Sequence, residues 1–447
     1  MEGRPLIRLA FLSSLVLAGG ATMASAATAN FTYTVKNIQT GASVGLTQVL
    51  SPTPTNEVAP QITLSGGSTR MMLTTSYSWY CEAQTKILPT FAANTQACSW
   101  ATNADTRQLG GAFTPSGSMP STTPWRRNYF GVTGLQLVPD SVNGQQLLAF
   151  VHGENKNEQI GGQVYQNQIN TDVDANVCWS GIHGGAYTDC FSAYNGFVSS
   201  AHAPYVATKG AGDPAFIDDG PIIWPSGAYL LPDGSKATSG VTVPRSIVKD
   251  GYVYIFYQDG GTFFDGTTVG RQPGTRVARA PIPATGPITG FVVAFNGVFD
   301  TETSLPPGFT KATASSFYQT KGGRGDIILP RSQFTTLFSA AHLTGTSQYL
   351  GIQEHCDPIP TLYCAVQLWL SEDLVHWAGP VIVNETKTAD YASFLFHYPI
   401  GLNSTGDNTT EIDPANFWVM GASGGHPTLI NLSLKIGPNL ANQCVTP

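Results

Sequence analysis

The sequence predicts an all-β fold, and three observations carry that expectation. Charged residues are scarce (Asp, Glu, Lys and Arg together 11%) while Gly (48), Pro (30) and aromatic residues (11%) are plentiful, a composition suited to many short strands joined by tight turns. Long helical patterns are absent. One hairpin pattern, with Arg on the entering strand and a carboxylate at the end of the leaving strand, occurs three times at long and irregular spacing. Repetition of this kind reads as a β-propeller with loop insertions better than as a sandwich.

The hairpin is clearest over 243–259, VPRSIVKDGYVYIFYQD. Alternating apolar residues run into Asp250-Gly251, a two-residue hairpin turn, and then into a β-branched and aromatic run, Tyr252 to Tyr257. Arg245 enters and Asp259 leaves. Upstream, Trp125-Arg126-Arg127-Asn128 leads to Gly134–Val138, turns at Asn143-Gly144 and returns through Leu147–Val151 to His152-Gly153-Glu154. Downstream, Leu329-Pro330-Arg331-Ser332 leads to Phe334–Phe338 and returns through Tyr349–Ile352 to Gln353-Glu354-His355.

Taken in order, the chain opens with a targeting segment. Arg4 and Arg8, an apolar run from Leu9 to Leu17 and the small residues Ala24-Ser25-Ala26 form a secretory signal peptide over residues 1–26. No later run reaches the roughly 18 apolar residues of a membrane span, so residues 27–447 are expected to be exported, to a periplasm or beyond the cell, as one propeller domain and a monomer. The first blade is expected from Phe31 to about Pro124. The second begins near Trp125, carries a loop insertion from Asn155 to about Gly212 and closes through Ala215–Trp224. The third is the 243–259 hairpin plus an outer strand, Thr275–Ile282. The fourth runs from about Ser315 to Val383, and the fifth uses His397–Gly401, Phe417–Met420 and Thr428–Leu434, so five blades are predicted.

A net charge of −7 offers no basic field for nucleic acid, and no membrane partner is expected. Seven cysteines in an exported chain are most simply disulfides. Cys81 with Cys98, Cys178 with Cys190, and Cys356 with Cys364 are the local pairs, leaving Cys444. None of these spacings gives a compact Cys/His cluster, so neither metal nor cofactor is predicted.

Ser371-Glu372-Asp373-Leu374-Val375-His376-Trp377 resembles the S-x-D-L-x-x-W signature at the outer blade turn of the five-bladed glycosidase propellers, the clan of glycoside hydrolase families 32, 43, 62 and 68. With the strand-Asp-Gly-strand hairpin, the resemblance covers much of residues 125–440 at blade level. Those families place a base Asp on the innermost strand of the first blade, a modulator Asp and an acid Glu. This chain departs from them: Arg occupies the inner-strand entries instead.

In a propeller, innermost strands start and second strands end on one face. That brings Arg126 or Arg127 with Glu154, Arg245 with Asp259, and Arg331 with Glu354 around one mouth. Glycoside hydrolysis needs paired carboxylates, so Glu154, Glu354 and Asp259 are the candidate catalytic groups, with His152 and His355 as proton or substrate partners. The competing reading is that each Arg and carboxylate form an ion pair closing a blade edge; strict alternation even puts Arg245 and Asp259 on opposite faces. Asp218 and Asp219 could reach the mouth or serve a turn. Asp326 is a further substrate-binding candidate. Gly421-Ala422-Ser423-Gly424-Gly425 fits a nucleophile elbow, but no Asp follows it, which excludes a triad in the usual chain order. His183, His202 and His342 have no partner readable from sequence.

Two function classes follow. One is a secreted glycoside hydrolase acting on a polysaccharide or oligosaccharide, an anionic one if the arginines are available; a sialidase-like enzyme with an arginine cluster is its variant. The other is a non-catalytic carbohydrate-binding propeller.

Overall fold

The computed structural model describes residues 31–40, strand segments between 61 and 100, and most strands and turns between 129 and 436; the signal segment, Arg126, Arg127, Arg331, Cys178 and Cys190 lie outside the described residues. All regular elements among them are β-strands, arranged as a β-propeller.

Strand β1 (Phe31–Thr40) stands apart from its chain neighbours. A first sheet is the meander β2 (Gln61–Ser65), β3 (Ser68–Thr74), β4 (Ser78–Ala83) and β5 (Cys98–Trp100). The second repeat contributes β6 (Tyr129–Asp140) and β7 (Gly144–Asn155), a short ribbon β8 (Glu158–Ile160) with β9 (Gln163–Tyr165), then β10 (Asn195–Pro204) and β11 (Ile217–Ile223). After a ribbon β12 (Tyr229–Leu230) with β13 (Lys236–Ala237), the third repeat runs through β14 (Ser239–Lys249) and β15 (Tyr252–Asp259). A ribbon β16 (Thr262–Phe264) with β17 (Val269–Arg271) precedes β18 (Gly274–Pro281), β19 (Val292–Phe295) and β20 (Val298–Glu302). Then follow β21 (Leu329–Pro330), β22 (Thr335–Leu343), β23 (Tyr349–Asp357), β24 (Leu362–Ser371) and β25 (Ala378–Thr388). The last are β26 (His397–Asn403), β27 (Glu411–Ile412), β28 (Phe417–Ser423) and β29 (His426–Ile436).

The innermost strands of neighbouring repeats are stitched by polar bonds. Thr133 Oγ1 donates to the Pro244 carbonyl (2.8 Å), Gln136 Nε2 to the Ser246 carbonyl (2.8 Å), and Ser339 Oγ to the Pro399 carbonyl (2.7 Å). The sheets then pack face to face. One apolar core joins the second and third repeats through residues such as Phe150, Phe197, Ile255 and Phe291; another joins the third and fourth through Phe256, Phe338, Trp369 and Leu374; a third joins the fourth and last through Leu350, Val366, Phe417 and Leu432. From the second repeat to the last, sheet faces are thus buried against the next repeat, which is what keeps strongly apolar strands out of water.

Four expectations are corrected. Phe31–Val35 does not build the first blade: β1 is the outer strand of the last sheet, antiparallel to β29 with Phe31 opposite Ile436 and Thr40 opposite Thr428, so the two ends of the chain close the ring. Among the described residues, hydrogen bonding gives four sheets of four or more strands instead of five separate blades, because the second and third repeats merge into one ten-stranded sheet where β10 runs parallel to β14 at Asn195↔Ser239 and Gly196↔Gly240. Thr275–Ile282 is not outermost, since β19 and β20 extend the sheet beyond β18. Leu329-Pro330 does not enter the fourth inner strand but pairs with β18 at Gly274 and Thr275.

Local features otherwise follow the sequence. Asp250 (φ 50°) and Gly251 (φ 79°) form the two-residue turn, whose positive φ values suit the twist of the flanking strands. Cys356 and Cys364 are opposite residues on β23 and β24 and form a disulfide, S–S 2.04 Å. Cys81 and Cys98 are register partners on β4 and β5. The Ser371–Trp377 motif is a turn between β24 and β25. Ser371 Oγ accepts from the Leu374 amide (2.8 Å), and Asp373 Oδ1 accepts from the Val375 and His376 amides (both 2.8 Å). Burial pushes the Asp373 carboxyl up, but hydrogen bonds led by the one from His376 outweigh it and hold Asp373 below its usual range. Leu374 is fully buried, and Trp377 packs edge-on against Phe338 (4.9 Å) of its own repeat and Phe256 (6.0 Å) of the third, so the motif pins the fourth repeat to the third.

Candidate functional site

The ends of the second strands place the candidate carboxylates. Asp259 closes β15 and is buried. Its guanidinium partner is Arg276: Nε donates to Asp259 Oδ2 at 2.7 Å, and Nη1 donates to the Gly325 carbonyl. Alternation explains the choice. Arg276 is the register partner of Tyr257, which lies two residues from Asp259 and therefore on the same face. Arg245 is the partner of Phe256, on the other face. A bulge between Thr242 and Arg245, with Val243 at φ 47°, lets Arg245 turn toward the second repeat, where its Nη1 donates to the Thr133 carbonyl (2.9 Å). Asp259 is thus bonded to Arg276, a residue outside the expected Arg–carboxylate sets.

Glu354 is wholly buried on β23, in register with Leu337 and Val366. Sγ of the disulfide-bonded Cys356 lies 3.9 Å from Glu354 Oε1; a bonded sulfur carries no proton, so this is a contact and not a hydrogen bond. Alternation sends half-buried His355 to the face opposite Glu354. His152 differs: it is buried and precedes by two residues Glu154, whose backbone pairs with Tyr129 and Gly196 and whose side chain lies outside the described residues. The two His–Glu combinations are thus not equivalent, because one is spaced by two residues and the other by one.

A narrow crevice, too small to admit a water molecule, lies between the third and fourth repeats at the end of the strands that carries Asp259. Val243, Tyr257, Gln258 and Thr275 line one side, Leu337 and Phe338 the other. Thr275 Oγ1 is buried there without a hydrogen-bond partner.

The remaining candidates have structural partners. Asp219 lies on β11, and its Oδ1 meets His202 Nδ1 at 2.7 Å, both side chains largely buried, on the outer strands of the second repeat. Asp326 Oδ2 accepts from the Gly297 amide (3.2 Å) and its own amide donates to Ala294 O (2.6 Å), closing the β19–β20 turn. His342, also without a readable partner in sequence, meets Glu411 Oε2 at 2.7 Å. Sequence reasoning missed Arg276 as a site residue, although its place in the alternating run Thr275–Ala280 was the signal that could have found it. No group of three His, Cys, Asp or Glu side chains among the described residues is placed to hold a metal ion.

No known family description matches the sequence, and no curated protein matches it. Among solved structures, the catalytic domain of a family 62 α-L-arabinofuranosidase from Coprinopsis cinerea aligns at TM-score 0.42 and 10% identity, covering 89% of this chain and 97% of that one. The family 62 α-L-arabinofuranosidase of Podospora anserina, solved with cellotriose, gives 0.42 and 11% over 89% and 97%. A family 117 glycoside hydrolase from Zobellia galactanivorans gives 0.36 and 11% over 91% and 90%. These are overall likenesses at low identity, and the strand pairing above stands independently of them.

Proposed function

We propose that the chain is a secreted glycoside hydrolase that acts on a polysaccharide or oligosaccharide where the second strands of neighbouring repeats end. One observation carries the reading. Two buried carboxylates, Asp259 and Glu354, lie on equivalent strands, β15 and β23, of adjacent repeats, and the buried, unbonded Thr275 hydroxyl lies in the closed crevice between those repeats. Hydrolysis of a glycosidic bond needs one carboxyl to protonate the leaving oxygen and one carboxylate to activate water or attack carbon. Asp259, bonded to Arg276, suits the ionised role, which leaves Glu354 as proton donor and Glu154 as the third carboxylate of the mouth. His152, two residues before Glu154, would orient substrate or relay a proton.

Arg245 and Arg276 are both engaged by protein groups, so a preference for an anionic glycan rests on Arg126 or Arg127 and on Arg331. The disulfide suits an oxidising compartment and supports secretion. The second reading, a carbohydrate-binding propeller without turnover, is favoured by how completely Glu354 is buried.

The test is release of reducing ends from neutral, uronate-containing and sulfated glycans by the protein and by Glu354→Gln and Glu154→Gln. Loss of about 10²-fold or more with unchanged melting is expected. Equal turnover by both variants and the parent would remove the assignment, and glycan binding without turnover in any of them would establish the second reading.

A further inference from the structure

The hairpin-turn end of the third repeat holds a cation that the mouth does not use. Arg279 lies on β18 opposite Tyr254, and its guanidinium carbon sits 4.4 Å from the Tyr252 ring centre and 4.3 Å from that of Phe299. Nη1 donates to the Tyr254 hydroxyl at 3.0 Å, and Tyr254 in turn packs edge-on against Phe299. Three aromatic side chains from β15 and β20 therefore fix the plane of one half-buried guanidinium. No carboxylate pairs with it among the described residues, and its Nε is buried without an acceptor. Lys249, the register partner of Tyr252, is already matched by Asp250 at 2.6 Å.

A guanidinium removed this far from water with no counter-ion is costly unless something completes it. Ring faces supply part of the compensation, because their quadrupoles attract a cation. They cannot accept the remaining N–H protons. A planar donor edge presenting one positive charge is matched by a planar acceptor bearing one negative charge, which is a carboxylate. Sulfate or phosphate is less suited, since among the described residues no second cation shares the Tyr252–Tyr254–Phe299 cluster with Arg279.

We propose that Arg279, held by Tyr252, Tyr254 and Phe299, is a carboxylate-binding site, of the kind that would take the acid group of a uronic-acid residue. It is separate from the mouth: five residues of extended β15 separate Tyr254 from Asp259, about 17 Å along the strand. The inference does not depend on the catalytic reading, because none of its residues belongs to that site.

The buried Nε–H of Arg279 is its own reporter. Titrating the ¹⁵N-labelled full chain with D-glucuronate, sodium acetate, D-glucose and sodium sulfate at low ionic strength, and following the arginine Nε–H resonances, tests the proposal directly. A saturable shift of one resonance with glucuronate, at a dissociation constant on the order of millimolar, is expected, with none from glucose and a weaker one from sulfate. Equal response to acetate would assign the site to the carboxylate alone; a response to glucuronate only would assign it to the sugar acid. Arg279→Met should abolish the effect, and Arg279→Lys, which keeps the charge but loses the planar fork, should weaken glucuronate binding about tenfold. Should Arg279→Met not fold, Phe299→Leu keeps the guanidinium while opening one wall, and it should raise the dissociation constant several-fold. An Arg279 resonance that no carboxylate moves, or binding that survives in Arg279→Met, overturns the proposal.

Discussion

Replacing Arg276 by Met tests whether the ion pair behind the candidate mouth controls stability. The side chains of Arg276 and Asp259 are 2% and 7% exposed, so neither charge can return to water when the other is removed. The variant keeps much of the side-chain volume, deletes the 2.7 Å bond to Asp259 and the bond to the Gly325 carbonyl, and leaves the Asp259 carboxylate buried without its arginine. Breaking a buried pair from one side typically costs about 3–5 kcal/mol. Removing both charges in Arg276→Met/Asp259→Leu costs much less, because apolar groups of similar size need no compensation. Reversible urea unfolding followed by tryptophan fluorescence, run on both single variants and the double, gives the coupling between the two positions. A single variant within about 1 kcal/mol of the parent, or two single effects that simply add, would refute the claim that Asp259 depends on Arg276.

Three further outcomes are expected. Gly351→Ala places a Cβ 2.6 Å from the Phe338 ring and 2.8 Å from Trp377, so it should destabilise by about 1–3 kcal/mol in thermal or urea melts, the range for overpacking a core. Asp140 is lowered to about 2 by hydrogen bonds from the Asn143 side chain and the Val142 amide; its contribution is complete above its unfolded value of 3.8 and disappears as pH falls through about 2, so Asp140→Asn should flatten the stability profile over that window and leave it unchanged in shape at neutral pH. Converting Cys356 and Cys364 to Ala together opens an eight-residue separation and should cost about 2–3 kcal/mol on chain-entropy grounds, measured against the parent without reductant.

The sequence by itself determined the strand-rich class, the Asp250-Gly251 hairpin, the Cys356–Cys364 bond and the structural role of the Ser371–Trp377 turn, because each depends on residues close in the chain. A turn needing positive φ selects Asp-Gly locally, and two cysteines on facing strands need only the hairpin between them. The register that sets Arg245 opposite Phe256, one step out of phase with Asp259, was readable as the competing reading, since side chains alternate along any strand. Tertiary structure decided what joins distant segments. It carried β1 across the molecule to β29, merged two repeats through Asn195 and Ser239, and moved Leu329-Pro330 onto β18. It also supplied the partners of the buried polar groups: Arg276 for Asp259, Thr133 for Arg245, Asp219 for His202 and Glu411 for His342. A buried charge must be matched by whatever group the packed sheets bring within bonding distance, and that distance is set by register and bulges across the fold, which spacing along one strand does not encode.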